Sequence, residues 1–195
     1  WAPFFQTWDL AGKFPDILKD EIVGAEAVRV FSDGKRLLQR AIDGRWLQAN
    51  GVAGFWPANT VDDDTIAIYT DETRSQVLLH WRPLRLQTER PVIDGVARPN
   101  RSLADFIAPR ADAGGKPDWI GAFAVTGGIG EEAIAKAYKA DHDDYNAILI
   151  QAVCDRLAEA FAEYLHEQVR KVHWGYAPDE ALSNEELIRE NYQDR

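Results

Sequence analysis

The feature that most constrains the fold is a long run of helical periodicity in the C-terminal half of the chain. Between residues 143 and 173, apolar side chains recur every three or four positions for about eight turns. The apolar positions are Tyr145, Ile148, Leu149, Ala152, Val153, Leu157, Ala160, Phe161, Tyr164, Leu165 and Val169. This spacing predicts one long helix with a buried face, which ends at the string WGYAP because glycine and proline do not continue a helix.

Other segments predict shorter helices. Residues 14–20 indicate a helical turn that begins at Pro15, and residues 131–140 indicate a helix directly before the long one. Residues 25–42 predict a helix with one buried stripe. Its members are Val28, Phe31, Leu38, Ala41 and Ile42. Ser183 and Glu186 form a capping-box pattern that predicts a last helix, which continues to about Tyr192.

The middle of the chain has the composition of strands. Residues 52–56, 65–69 and 76–81 are short, rich in β-branched and aromatic side chains, and separated by turn formers. Residues 119–126 are continuously apolar, which predicts a strand that is buried on both faces and ends at Gly127 and Gly128. Strands grouped early and helices grouped late favour an α+β fold with an antiparallel or mixed sheet.

The segments between these strands are predicted to be mostly irregular. Four turn formers, Pro83, Pro91, Gly95 and Pro99, fall within residues 83–101. Ser102 with Asp105 resembles a capping box that opens a short helix, and residues 111–117 are predicted to form a loop.

Length and charge limit the classes of function. A chain of 195 residues favours one domain over residues 1–195. Its 22 basic and 32 acidic side chains give a formal charge of −10, which disfavours nucleic acid and anionic membranes as partners. The single cysteine, Cys154, excludes an internal disulfide framework and a multi-cysteine zinc site, and so favours a reducing, cytoplasmic setting. No apolar run is long enough to span a bilayer.

An acidic row on the long helix is the strongest candidate for a site. Asp155, Glu159 and Glu163 are four residues apart, so their side chains share one face of the helix. A solvated acidic face explains this row. A site for an ammonium or sulfonium cation, or for the imidazole of a partner, explains it as well. A third interpretation is a hydrolase that uses carboxylates as catalytic groups, and these acidic residues are its only support.

Other candidates have simpler structural interpretations. The string DHDD at residues 141–144 suits the positive end of a helix dipole better than a metal. Gly127, Gly128 and Gly130 indicate a turn from strand to helix, since the next helix opens with two glutamates that would repel an anion. Cys154 is interpreted as a small core residue, and the histidines form no hydrolase triad or HExxH motif.

Several longer strings carry a family resemblance. They are PFFQTWDLAGKFPDIL at 3–18, SLADFIAP at 102–109, DWIGAFAVTGG at 118–128, HDDYNAI at 142–148, DRLAEAFAEYLHEQVRK at 155–171 and WGYAPDEALSNEELIRENYQ at 174–193. In this order, they resemble successive blocks of the activation domain of cobalamin-dependent methionine synthase. The resemblance covers nearly the whole chain and is weakest at residues 59–101.

The resemblance implies a twisted antiparallel sheet flanked by helices and a role in reductive reactivation. In that family, cob(II)alamin formed by oxidation receives an electron from flavodoxin or a flavoprotein reductase, and S-adenosylmethionine bound to this domain donates the methyl group. The chain would then be part of a homocysteine methyltransferase. Cobalamin would be bound by a neighbouring module of the same polypeptide, and zinc only by a separate module.

The resemblance also implies roles for particular residues. Glu159 and Glu190 match acidic residues that line the S-adenosylmethionine site, where carboxylates attract the amino and sulfonium groups of the ligand. Glu131 and Asp155 match acidic positions that face the cobalamin module, where they would hold the histidine that leaves cobalt. Lys13 lies in a matching block and is expected to contact the same module.

Two family features are missing from the printed sequence. The RxxxGYP motif should follow the ENYQ string, and a ligand-binding aspartate should precede the residue that matches Trp1; neither is present. The chain also contains no methionine, so it is expected to be a fragment of the family domain. The alternative function is a separate protein that docks onto a corrinoid protein without binding S-adenosylmethionine itself.

Overall fold

A computed structural model describes residues 1–88, 90, 95 and 98–193. The chain divides into two compact units. The helical unit comprises Trp1–Val52 and Ala124–Arg195, and the sheet unit comprises Ala53–Phe123. The expectation of one domain over residues 1–195 stays a prediction. Of the turn formers expected to make residues 83–101 irregular, Pro91 lies outside the described residues.

The helical unit contains five α-helices. They are α1 (Ala2–Gln6), α2 (Gly24–Asp43), α3 (Glu131–Ala140), α4 (Asp144–Gln168) and α5 (Asn184–Ile188). A short 3-10 helix over Asp16–Lys19 precedes α2, and a π-helical turn over Val169–His173 extends α4. The helices predicted at 14–20, 25–42, 131–140 and 143–173 are therefore confirmed within a few residues at each end.

The last helix is shorter than predicted. The Ser183–Glu186 capping box forms as expected, with the Ser183 amide donating to the Glu186 carboxylate over 2.8 Å. The helix nevertheless ends at Ile188 and not near Tyr192. Ile188 is largely exposed, so no apolar contact stabilises another turn, and Glu190 adopts a left-handed backbone with φ 55°.

The buried stripe of α2 differs from the predicted one. Ala27, Val30, Gly34, Leu37 and Ala41 are buried. Val28 is exposed, and so is Ile42, at 60%. The prediction was correct for Ala41, and Phe31 and Leu38 pack against the core while partly buried, but it was wrong for Val28 and Ile42 because it followed the larger side chains. A Cβ at Gly34 would lie 2.8 Å from the Phe4 ring, so this missing side chain is what allows α1 to pack on α2.

The first half of α4 contributes most of its buried residues. They are Ala147, Leu149, Ile150, Ala152, Val153 and Cys154. Cys154 is thus a core residue, as predicted. Ile148 and Tyr164, which belong to the predicted buried face, are exposed instead. Three-and-four spacing indicates a shared face of a helix, but not how far along the helix other elements cover that face.

Four strands form one sheet with the order β3-β2-β1-β4. They are β1 (Gln48–Asp62), β2 (Thr65–Tyr69), β3 (Val77–Trp81) and β4 (Asp118–Ile129). The pairs β1–β2 and β2–β3 are antiparallel. The predicted α+β class is confirmed, and so is the antiparallel arrangement. The prediction of β2 is correct to the residue, whereas β1 is much longer than the predicted 52–56.

The prediction that β4 is buried on both faces was wrong. Trp119 and Phe123 are exposed, because β4 lies at one end of the strand order and has a neighbour on one side only. The turn predicted at residues 127–130 is confined to Gly130, whose φ of 107° requires glycine. Gly127 and Gly128 continue the strand, and a Cβ at Gly128 would lie 2.7 Å from the Cβ of Cys154.

Polar contacts hold the loops of the sheet unit. Ser102 and Asp105 form the predicted capping box at a 3-10 helix over Leu103–Phe106. The Arg85 guanidinium donates to both carboxylate oxygens of Asp105, over 2.8 and 2.9 Å, and to Asp64 over 2.8 Å. These contacts connect loops that are distant in sequence.

Candidate functional site

The acidic row of α4 lies on an exposed face of the helix. Asp155, Glu159 and Glu163 are all exposed, so the shared face predicted from their spacing is confirmed. Glu159 forms an ion pair with Arg156, with 2.9 Å between Oε2 of Glu159 and Nη1 of Arg156. An exposed pair of this kind contributes little to stability and exchanges readily, which leaves the Glu159 carboxylate accessible to a cationic ligand.

An apolar groove runs beside this row in the helical unit. One cavity of about 330 Å³ is lined by Trp1, Phe4, Leu38, Val153, Arg156, Leu157 and Ala160. A second, of about 590 Å³, shares Leu38, Leu157 and Ala160 with the first. It adds Ala41, Ile42, Arg45, Leu47, Ala49, Gly127, Phe161 and Tyr164. We call these two cavities the α4 groove. Arg156 lines it, and Glu159 forms an ion pair with Arg156 without lining either cavity itself.

Sequence reasoning missed the α4 groove. The sequence does contain a signal for it, which is the length of the apolar stripe on α4. This stripe continues to residue 169, whereas the buried residues of α4 end at Cys154. Ile42 and Tyr164 were assigned to buried stripes, yet both line the groove and are exposed to solvent. Apolar side chains left uncovered in this way mark a contact surface for a ligand or partner.

Glu131 and Asp155 form a second acidic group around Cys154. Burial raises the pKa of the Cys154 thiol to about 12, with the negative charges of Glu131 and Asp155 adding to the effect. The two carboxylates lie on different helices, α3 and α4. That both face the cobalamin module stays a prediction.

Within this group, one carboxylate oxygen has an unmet hydrogen-bonding capacity. Oε1 of Glu131, at the first position of α3, is buried and accepts no hydrogen bond from the residues that the structure describes. A buried carboxylate oxygen without a donor costs free energy. This atom is suited to accept a hydrogen bond from an incoming N–H group.

Lys13 and Glu190 lie in short connecting segments. Lys13 is exposed just before the 3-10 helix of the helical unit, where its carbonyl accepts from the Ile17 amide over 2.8 Å. Glu190 is exposed after α5, and its amide donates to the Leu187 carbonyl over 2.9 Å.

The segment that carries Glu190 packs on the end of α4. The Tyr192 ring lies 5.1 Å from the His166 ring and 4.4 Å from the Arg170 guanidinium carbon. Glu159 lies seven residues before His166 on the same helix, a rise of about 10 Å.

The described part of the chain contains neither a cluster of metal-binding side chains nor a helix that could cross a membrane. Among residues 1–88, 90, 95 and 98–193, no three histidine, cysteine or carboxylate side chains are grouped as a metal would require. None of the described helices combines the length and the apolarity that crossing a bilayer requires.

Comparison with known proteins shows the family of the chain. The family model for the vitamin B12 dependent methionine synthase activation domain matches residues 1–195. A solved structure of the MetH reactivation domain bound to AdoHcy is 58% identical in sequence and superposes with a TM-score of 0.89. The match covers 99% of this chain and 57% of that one, so the chain spans little more than half the length of this relative. The family resemblance read from the sequence is thereby confirmed, and the chain belongs to the family of vitamin B12 dependent methionine synthase activation domains.

Proposed function

We propose that this chain is the S-adenosylmethionine-binding reactivation module of a cobalamin-dependent methionine synthase. The observation that carries the proposal is the relative with bound AdoHcy, which matches 99% of the chain at 58% identity. AdoHcy is the product that remains when S-adenosylmethionine has lost its methyl group. A domain that holds the product in a relative of this similarity is expected to hold the methyl donor here.

The residues of the helical unit fit such a ligand. S-adenosylmethionine carries two cationic groups, an ammonium and a sulfonium, together with an adenosine whose faces are apolar. The α4 groove offers apolar surface, and the carboxylate of Glu159 forms an ion pair with Arg156, which lines the groove. We assign Glu159 and Glu190 to the cations of the ligand, because opposite charges attract strongly where water is partly excluded.

We assign the second acidic group to the cobalamin-binding module of the same polypeptide. Oε1 of Glu131 is buried without a donor among the described residues, and Asp155 carries a second carboxylate, on α4. Together they favour an imidazolium, which is the form taken by a histidine that has left cobalt and gained a proton. Lys13, which is exposed, would contact the same module.

In this account the protein binds and orients, while the cofactors carry the reaction. S-adenosylmethionine supplies the methyl group and the corrinoid accepts it. The chain would contribute to a homocysteine methyltransferase in the cytoplasm without being catalytic by itself. Flavodoxin or a flavoprotein reductase would supply the electron, and any zinc would belong to a separate module.

Calorimetry with both ligands on the full-length protein tests the proposal. Wild type should bind S-adenosylmethionine and AdoHcy. Glu159→Gln and Glu190→Gln should each weaken S-adenosylmethionine binding by roughly tenfold to a hundredfold, the range expected for a lost charged contact. AdoHcy has no sulfonium, so the carboxylate that faces sulfur will show a smaller loss for AdoHcy than for S-adenosylmethionine.

Glu163→Gln is the matched control, because Glu163 is a carboxylate on the same exposed row one turn further along α4. It should change affinity by less than about twofold. A wild-type protein that binds neither ligand, yet still binds the cobalamin-binding module, would favour the alternative of a docking protein. Equal affinities for wild type, Glu159→Gln and Glu190→Gln would remove both residues from the site.

A further inference from the structure

The segment after α4 that carries Glu190 is held by partly buried side chains only. Every residue from 174 to 193 is described, and none of them is buried. The only helix in this stretch, α5, has five residues and buries none of them. A segment of this kind is expected to open locally at little cost in free energy unless another interaction holds it.

One residue of α4's π-helical extension supplies that interaction. The side chain of Arg170 is only 1% exposed, and the side chain of Glu180 in the segment is 7% exposed. The Arg170 Nε donates to Oε2 of Glu180 over 2.9 Å, and Nη2 donates to Oε1 over 2.6 Å. This is a bidentate, charge-assisted pair, which fixes orientation as well as distance.

The same arginine makes two further contacts with the segment. Its carbonyl accepts from the Ala177 amide over 2.9 Å. The face of the Tyr192 ring lies 4.4 Å from its guanidinium carbon, within the range of a cation–π interaction. Arg170 therefore contacts the segment at three points, at Ala177 and Glu180 in its first half and at Tyr192 near its end.

We infer that Arg170 and Glu180 act as a clamp that positions Glu190 for the ligand. This inference rests on the proposed function, since it assigns Glu190 to the S-adenosylmethionine site. Glu190 lies between α5 and Tyr192, so its position depends on both of these neighbours being held. Arg170 and Glu180 are positioning residues and do not touch the ligand themselves.

The burial of the pair is consistent with a positioning role. Nη1 of Arg170 is buried and lacks a hydrogen-bond partner among the described residues, so the guanidinium is not fully satisfied. A buried ion pair that is incompletely satisfied contributes little net stability, but it specifies geometry strongly. The clamp is expected to control the placement of the segment more than the stability of the helical unit.

Two measurements on the full-length protein test the clamp. Glu180→Gln should speed hydrogen exchange of amides 176–192 by about tenfold or more and leave the first half of α4 unchanged. The same variant should weaken AdoHcy binding by about tenfold or more, through the loss of Glu190 placement. Glu167→Gln is the control, because it breaks the partly exposed pair with Lys171 (3.2 Å) on the same helix. It should change neither quantity.

A double variant separates positioning from a general loss of structure. If the clamp acts through Glu190, Glu180→Gln combined with Glu190→Gln will bind AdoHcy about as weakly as Glu190→Gln alone. If the losses of AdoHcy affinity in the two single variants add in full in the double variant, the clamp is contradicted. It is also contradicted if Glu180→Gln speeds hydrogen exchange of the segment but binds AdoHcy as tightly as wild type. Should Glu180→Gln fail to fold, Tyr192→Leu removes the ring contact alone and should give the same pattern. Failure of wild type to bind AdoHcy would contradict the proposed function instead.

Discussion

In the helical unit, fourteen buried side chains form one apolar cluster, whereas the cluster of the sheet unit has four, counted over the residues that the structure describes. The larger cluster joins α1, α2, α3 and α4 through side chains such as Phe4, Val30 and Ile150. The sheet unit relies more on polar contacts, above all those of Asn59 and Arg85. Every residue assigned to the ligand or the corrinoid module lies in the helical unit.

The larger apolar core of the helical unit explains how exposed acidic side chains can be held in place. Asp155 and Glu159 project from a helix whose opposite face is anchored by Leu149, Ile150 and Val153. A rigid helix keeps exposed carboxylates at fixed spacing. Glu190 is the exception, because its segment depends on Arg170 and not on the core.

The largest effect is expected from a cavity in the helical core. Phe4→Ala removes a fully buried ring that packs edge-on against Trp1 at 5.1 Å and against Phe5 at 5.7 Å. It should lower the free energy of unfolding by about 3–5 kcal/mol, measured by denaturant titration. The matched control Phe106→Ala, at an exposed ring of the sheet unit, should change it by less than about 0.5 kcal/mol. Equal effects would contradict the contrast between the units.

A smaller effect is expected from a polar residue in the sheet unit. Asn59 is only 2% exposed, and its amide nitrogen donates to the carbonyls of Ala108, Pro109 and Lys116 over 2.9–3.2 Å. Asn59→Leu removes the donor and should cost about 1–3 kcal/mol. Hydrogen exchange of residues 107–117 should speed up. The exposed Asn50→Leu is the control, and unchanged exchange in Asn59→Leu would show that the loop is held by something else.

The polar network of the sheet unit should also respond to pH. Hydrogen bonds from Arg85 and from the Ser102 amide lower the pKa of Asp105 to about 2, from an ordinary value of about 3.9. Because the folded pKa is the lower one, the network stabilises the fold above about pH 4, and its contribution is lost as the pH falls through about 2. Carboxyl NMR titration should give this midpoint, and Arg85→Gln should move it upward. A wild-type midpoint near 4 would contradict the network.

The smallest effect concerns a thiol in the helical core. Burial, with Glu131 and Asp155 nearby, raises the pKa of Cys154 to about 12. Iodoacetamide should therefore react very slowly at pH 8, because the thiolate is the reactive form. Glu131→Gln and Asp155→Asn should each lower the pKa of the thiol slightly, as read by its thiolate absorbance. Ile148→Val, on the exposed face of the same helix, is the control. An unchanged thiol pKa in both Glu131→Gln and Asp155→Asn would show that neither carboxylate acts on Cys154.

The sequence was most informative where one local rule determines the structure. Helical spacing predicted α4, the strings Ser102–Asp105 and Ser183–Glu186 predicted two capping boxes, and β-branched residues predicted β2. Each of these depends on side chains close together in the chain. Helical spacing alone singled out the row of Asp155, Glu159 and Glu163, whereas Glu131 and Glu190 were indicated only by the family resemblance.

The remaining features depend on contacts between distant segments. The buried stripe of α2 is decided by Phe4 entering the space at Gly34, which no pattern within α2 reveals. The exposure of β4 follows from its place at the end of the sheet. The Arg170–Glu180 pair was not anticipated, because an isolated arginine and glutamate ten residues apart look like ordinary surface charges in a sequence.

The decisive measurement is a crystal structure of the full-length protein with S-adenosylmethionine. We expect the ligand to lie along the α4 groove, with its ammonium and sulfonium groups each within about 4 Å of a carboxylate, one from Glu159 and one from Glu190. A ligand bound away from both carboxylates would contradict the proposed roles of these two residues.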